Sequence, residues 1–180
     1  MNEIMNKMMK EEKKIVMSKL LILSTQRTGS SALFYQFETQ MIGYEPFNSE
    51  DTRSEFIEIV ETEFYKNRID RPVDYIDYLF EFVECIKIQM ELIPTYVLKP
   101  LLTSTYEKVM LSRNYFEKFR SLKTAQATDQ WWLNEGEVKK EVNINFDLHE
   151  FKEYSDKMTD LYTFARKYVS NCSFIRHDEN

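Results

Sequence analysis

The sequence predicts an α/β fold in which a small central parallel sheet is flanked by helices. Apolar runs rich in Leu, Ile and Val alternate along the chain with longer segments of helical periodicity, an arrangement typical of three-layer α/β domains. Only 3 Gly and 4 Pro among 180 residues favour long regular elements with few tight turns. We interpret residues 19–24, 95–99, 108–112 and 172–176 as the strands, with the first of them buried on both faces of the sheet.

Helices are predicted wherever apolar residues recur at intervals of three and four. Pro72 suits the first turn of one such helix, and Asn114, with Glu117 three residues later, is a predicted N-cap. The acidic positions of the helix that begins at Pro72 follow the same spacing, so we interpret them as a solvated face and not as a metal site. The predicted helices are Ser30–Met41, Ser54–Tyr65, Pro72 to about Glu91, Asn114 through Ala127 towards Trp131, and Phe146–Val169.

Length and composition favour one domain, which we place at residues 19–180. Residues 1–18 are rich in Met, Lys and Glu and lack the apolar run of a signal peptide or a membrane span, so we expect a helical or flexible tail there. Cys85 and Cys172 lie far apart in apolar patterns, which favours free thiols in a reducing compartment and hence a cytoplasmic location. A net charge of −6 argues against nucleic acid as a partner, and the many aromatic residues leave room for a homodimer.

The candidate site is the loop from Ser24 to Ser31, between the first strand and the first predicted helix. Backbone N–H groups and a helix N-terminus at such a junction bind phosphate or sulfate. Aligned with the phosphate-binding pattern GxxxxGK[ST], the loop is P-loop-like, but Ser30 stands where the lysine belongs and the cation is Arg27. No strand end offers a clear carboxylate for magnesium. These departures argue against nucleotide hydrolysis and predict an anion site without a metal.

The same loop resembles the phosphosulfate-binding loop of sulfotransferases that use 3′-phosphoadenosine 5′-phosphosulfate (PAPS). Ser24, Arg27, Thr28, Gly29, Ser30 and Ser31 match that loop position by position. The family also has an Arg at a strand end and a Ser eight residues later, which bind the 3′-phosphate of the cofactor. Here these residues are Arg113 and Ser121. The resemblance implies that residues 27–31 hold the 5′-phosphosulfate and that Arg113 and Ser121 hold the 3′-phosphate.

The resemblance implies transfer of a sulfuryl group from PAPS to a hydroxyl of a small molecule, carbohydrate or lipid, with 3′-phosphoadenosine 5′-phosphate (PAP) as product. Glu45 resembles the family's general base, although a carboxylate that caps local N–H groups is the alternative. Lys99, at a predicted strand end, would stabilise charge on the bridging oxygen. Trp131 and Trp132 would stack on the acceptor or the adenine, or lie in the core.

Family members continue beyond the strand that residues 172–176 resemble, into an Arg/Lys-Gly loop that covers the 3′-phosphate. We therefore expect a short or truncated member, or a partner that supplies the cover. One alternative function is a degenerate, non-catalytic module that binds PAP or PAPS. A metal-dependent small-molecule kinase is a further alternative, which Ser30 in place of the lysine disfavours.

Overall fold

The computed structural model describes residues 19–30, 68–81, 85–131, 137–138, 140 and 142–177. The strands in this part of the chain are β1 (Leu20–Ser24), β2 (Cys85–Gln89), β3 (Glu107–Arg113) and β4 (Cys172–His177). The helices are α1 (Pro72–Leu79), α2 (Thr95–Thr103), α3 (Tyr115–Thr128) and α4 (Leu148–Tyr168), with a short 3-10 turn at Met90–Leu92.

The four strands form one parallel sheet in the order β2-β1-β3-β4. Leu21 lies opposite Ile86 of β2 on one side and Lys108 of β3 on the other, so β1 is at the centre. Helices pack on this sheet. The predicted α/β fold with a small parallel sheet flanked by helices is therefore confirmed.

Alternate residues of β1 are buried on opposite faces of the sheet, as predicted for a central parallel strand. Leu21 and Leu23 belong to the main core, to which α1, α2 and α4 contribute. Ile22 points to the other face, where it packs with Cys85 and Leu111. All three β1 side chains are fully buried. Cys85 and Cys172 are free thiols, as expected, and burial raises the pKa of Cys85 to about 12.

Two predicted elements are wrong. The helix predicted from Pro72 to about Glu91 ends at Leu79, and its C-terminal part contains strand β2, in which Cys85, Ile86 and Ile88 are buried. The strand predicted at residues 95–99 is the start of helix α2. This helix lies between β2 and β3, so the crossover that parallel strands need is present.

Three predicted segments cannot be compared with the structure. The tail at residues 1–18 and the helix Ser54–Tyr65 lie outside the described residues. Of the helix Ser30–Met41 only Ser30 is described, with helical backbone. Within the described part of the chain, no helix has the length and apolar character needed to cross a membrane.

Side-chain caps begin both long helices. The Asn114 side chain accepts hydrogen bonds from the N–H groups of Phe116 (2.9 Å) and Glu117 (3.4 Å), which confirms the predicted N-cap of α3. Asp147 caps α4 in the same way. Capping satisfies N–H groups that have no partner inside the helix, so both helix starts are well defined.

Lys108 is fully buried and links the connections at the amino end of the sheet. The Lys108 ammonium donates to the carbonyl oxygens of Ser104 (2.6 Å), Tyr106 (2.9 Å) and Ser170 (3.1 Å). These carbonyls belong to the connections that lead from α2 into β3 and from α4 into β4. All three protons of the ammonium therefore have acceptors, which offsets the cost of burying the charge.

Candidate anion-binding site

The predicted loop lies at the carboxyl edge of the sheet, where its central strand ends. The chain places β2 on one side of β1 and then crosses to place β3 on the other side. Strand order reverses between β1 and β3, and ligands of open α/β sheets bind at such a reversal, outside the carboxyl ends of the strands. The loop after β1 and Arg113 at the end of β3 are both at this point.

The loop backbone makes a tight turn. Arg27 and Gly29 have positive φ angles of 62° and 79°, with Thr28 between them. The Thr28 hydroxyl is buried and donates to the carbonyl oxygen of Thr25 at 2.8 Å, which closes the turn. Backbone that alternates between the two signs of φ forms concavities lined by N–H groups, and such concavities bind anions.

The two sequence motifs meet at Arg27. Its Nε donates to the Ser121 hydroxyl at 2.9 Å, and its Nη1 donates to the carbonyl oxygen of Trp131. Arg113 Nη1 donates to the carbonyl oxygen of Arg27 at 3.2 Å. Arg27, Arg113 and Ser121, which come from the loop, β3 and α3, therefore form one cluster.

The electrostatics of this cluster favour an anion. Burial, and then the neighbouring charge of Arg113, lower the pKa of Arg27. Two guanidinium groups held close together repel each other, and an anion that binds both relieves that repulsion. Arginine also binds phosphate and sulfate oxygens with two parallel, charge-assisted hydrogen bonds. The cluster is thus able to hold a doubly charged oxyanion.

Two charged residues at the loop were not predicted from the sequence. Lys118 of α3 is fully buried, and its ammonium donates to the Thr25 hydroxyl. Glu91, in the 3-10 turn after β2, accepts a hydrogen bond from the N–H of Gln26. A carboxylate therefore does follow a strand end beside the loop, contrary to expectation. Lys118 lies three residues before Ser121 on α3, a spacing that places both on one helix face and could have identified it.

Lys99 is a predicted site residue that does not join the cluster. Lys99 is on helix α2 instead of at a strand end, and its ammonium lies 4.5 Å from the centre of the Tyr168 ring. Tyr168 ends α4 just before β4 begins, so this contact is near the amino edge of the sheet, opposite the loop. Trp131 contacts the cluster through its carbonyl oxygen, which accepts from Arg27, while its indole donates to Asp129 at 3.2 Å. Ser31, Glu45 and Trp132 lie outside the described residues.

The chain matches no protein-family model, no curated protein and no solved structure.

Proposed function

We propose that the protein binds PAPS at this loop and transfers its sulfuryl group to a hydroxyl of an acceptor. One observation carries the proposal: the hydrogen bond between Arg27 and Ser121 joins the two motifs that resemble the sulfotransferase cofactor site. These motifs are far apart in sequence; the parallel pairing of β1 with β3 brings them to one edge of the sheet, and the hydrogen bond puts their side chains in direct contact. Two arginines beside one serine also suit a ligand with more than one phosphate-like group.

Each residue of the cluster has a role in the proposed reaction. Arg27 and the N–H groups of residues 28–31 hold the 5′-phosphosulfate, and Arg113 with Ser121 holds the 3′-phosphate. The acceptor oxygen forms a bond to sulfur while the bond between sulfur and the bridging oxygen breaks, and PAP leaves. The Arg27 charge stabilises the negative charge that develops on that bridging oxygen.

The acceptor hydroxyl loses its proton during the attack, so the reaction needs a base. Glu45 is the proposed base. Lys99 has no part in the proposal, because it contacts Tyr168 at the other edge of the sheet.

Calorimetry with PAP, compared with ATP and magnesium, tests the binding step. We expect PAP to bind without magnesium and to bind at least tenfold more weakly to Arg113→Ala, because each charge-assisted hydrogen bond contributes about 1.5–3 kcal/mol. Arg120→Ala is the matched control, since Arg120 is an exposed arginine of α3 that pairs with Glu117. Equal affinity of the wild type and Arg113→Ala for PAP would contradict the proposed site.

Transfer of labelled sulfate from PAPS to a panel of hydroxyl acceptors tests the chemical step. Turnover that depends on Arg27 supports an enzyme, and tight PAP binding without turnover on any acceptor supports the non-catalytic module. Full turnover by Glu45→Gln would show that another group is the base.

A magnesium-dependent kinase remains a second candidate because of Glu91. A carboxylate beside a P-loop-like turn is where a magnesium ion could be held, and Glu91 contacts the N–H of Gln26. Its position is the one observation in favour of this function, and Ser30 in place of the lysine still argues against it. ATP binding that requires magnesium and fails in Glu91→Gln would favour the kinase over the sulfotransferase.

A further inference from the structure

Lys118 is a fully buried lysine behind the anion-binding loop. It projects from α3 beneath the loop, where its ammonium donates to the Thr25 hydroxyl and lies 3.6 Å from the sulfur of Met158. Thr25 is itself buried and comes two residues before Arg27. The lysine therefore contacts the loop from the side that faces the protein interior.

A directed chain of hydrogen bonds leads from Lys118 to strand β3. The Tyr162 hydroxyl donates to the carbonyl oxygen of Leu111 at 2.6 Å, so at its 3.2 Å contact with Thr25 it is the acceptor. Thr25 thus accepts from Lys118 and donates to Tyr162. The chain connects α3, the loop, α4 and β3, and Thr25 is its central member.

A buried charge at this place is costly for the fold. An apolar side chain of similar volume would fill the space beside Met158 without a desolvation penalty. The tyrosine rings that surround the ammonium recover part of that penalty through cation–π contacts, at 5.4 Å for Tyr162, 5.7 Å for Tyr115 and 5.9 Å for Tyr154. A remaining cost of this kind is expected at functional sites.

We propose that Lys118 is a positioning residue of the anion site, which holds Thr25 in place and provides a third positive charge behind the loop. An anion in the loop and the ammonium of Lys118 then stabilise each other. The identity of the anion, PAP or PAPS, rests on the proposed function. The contact that Lys118 makes with the loop does not.

This arrangement makes the loop sensitive to pH. Burial lowers the pKa of Lys118 to about 8; the Glu91 charge raises it and the Arg113 charge lowers it. Tyr154 and Tyr162 stay neutral near pH 8, because burial raises the pKa of both. The other groups that face this part of the site are the Tyr115 phenol and the guanidinium groups of Arg27 and Arg113, and the pKa of about 8 belongs to Lys118. A bound anion raises its pKa, so binding takes up protons.

The first test uses the free protein. We expect the backbone amide resonances of residues 25–29 to titrate with a midpoint near pH 8 in nuclear magnetic resonance spectra of the wild type. They should titrate equally in Lys123→Met, the matched control, because Lys123 is on the same helix but pairs with the surface residue Glu150. The titration should be absent in Lys118→Met. Loop amides that do not titrate between pH 7 and 9.5, or that titrate unchanged in Lys118→Met, would overturn the proposal.

Lys118→Arg is a second variant, which keeps the test valid if Lys118→Met does not fold. It keeps the charge over the whole range, so the amide titration should disappear while a hydrogen-bond donor to Thr25 remains. A titration that persists in Lys118→Arg would overturn the proposal as well.

The second test measures proton uptake when PAP binds, by calorimetry in buffers of different ionisation enthalpy. At pH 8 we expect about half a proton taken up per PAP by the wild type and by Lys123→Met, and none by Lys118→Met. PAP binding with no proton uptake would overturn the proposed charge coupling and leave the proposed function standing. If PAP did not bind, the proposed function would fail, and the amide titration of the free protein would still decide the role of Lys118.

Discussion

Arg27 and Ser121 are 94 positions apart in the chain, and a hydrogen bond of 2.9 Å joins the guanidinium of one to the hydroxyl of the other. The contact brings together a loop at the end of the first strand and a helix that follows the third. Arg113 donates to the carbonyl oxygen of Arg27, so both residues of the second motif contact Arg27. The proposed ligand would contact all three side chains at this point.

Ser121→Ala should weaken PAP binding about tenfold, since one hydrogen bond to a charged group contributes about 1.5–3 kcal/mol. Binding of AMP, which lacks the 3′-phosphate, should change little. Calorimetry with both ligands measures the difference. Thr124→Ala is the control, because the Thr124 hydroxyl bonds within the helix to the Arg120 carbonyl at 2.9 Å. Equal losses for PAP and AMP would place Ser121 outside the 3′-phosphate site.

Arg27→Gly and Arg27→Ala should both lose PAP binding, and they should differ in stability. Arg27 has a φ of 62°, which glycine adopts freely and alanine adopts at a cost of about 1 kcal/mol. Urea denaturation should therefore find Arg27→Gly the more stable of the two by about that amount. Equal stability of the two variants would mean that the loop relaxes when the guanidinium is removed.

Asn114→Ala should lower the free energy of unfolding by about 1 kcal/mol, because it removes the side-chain cap of α3. It should also weaken PAP binding, since this helix carries Lys118 and Ser121. Asp147→Ala removes the equivalent cap of α4 and serves as the control, with a similar loss of stability and unchanged PAP affinity. Urea denaturation and calorimetry on both variants measure the two effects. Unchanged affinity in Asn114→Ala would show that the start of α3 does not position the site.

Lys118→Met should stabilise the fold at neutral pH by up to about 3 kcal/mol, the cost of holding a lysine whose pKa is lowered from 10.5 to about 8. Because the pKa of Lys118 is lower in the folded protein, the unfolded chain binds more protons between pH 8 and 10. The free energy of unfolding of the wild type therefore rises relative to that of Lys118→Met over this range.

Urea denaturation of both proteins between pH 7 and 9.5 measures that change. Only the difference between them is informative, because Cys85 and the buried tyrosines titrate alike in both. A difference that does not vary with pH would contradict the lowered pKa of Lys118.

Local patterns predicted the elements on which the motifs lie. Leu20–Ser24, Glu107–Arg113 and Cys172–His177 are strands as expected, because short apolar runs leave few other options in a chain of this composition. The N-cap at Asn114 was predictable because its side chain acts on the next three residues only. Arg113 ends β3 and Ser121 lies on α3, so both elements had to be predicted before the motif could be placed. The interval of eight residues between them was then enough to recognise the motif.

Ambiguous periodicity explains the errors between residues 80 and 103. Ile86 and Met90 suit a helix by their spacing, yet Ile86 and Ile88 alternate as a strand requires, and packing against β1 decides for the strand. Pro100 follows directly after the strand predicted at residues 95–99. Pro100 lies within α2 and has no N–H to donate to the carbonyl oxygen of Tyr96. Tyr96 is exposed, so water can bind that carbonyl instead.

The spacing of Lys118 and Ser121 indicates a shared helix face, but the burial of Lys118 depends on tertiary structure and could not be predicted from the sequence. A lysine on an amphipathic helix is normally solvated, and Lys123 of the same helix is indeed near the surface. Tyr115 lies three residues before Lys118 on α3, and the position of α3 against α4 adds Tyr154 and Tyr162. Glu91 is similar, since its place beside Gln26 follows from the pairing of β2 with β1.

The hydrogen bonds of Lys108 make the amino edge of the sheet harder to separate than the carboxyl edge. One ammonium group ties three main-chain carbonyls together at the amino edge, so its connections can separate only if a buried charge loses its acceptors. Amide protons near the starts of β3 and β4 should therefore exchange with solvent only through global unfolding. A change in a loop at the carboxyl edge therefore leaves these contacts at the amino edge in place.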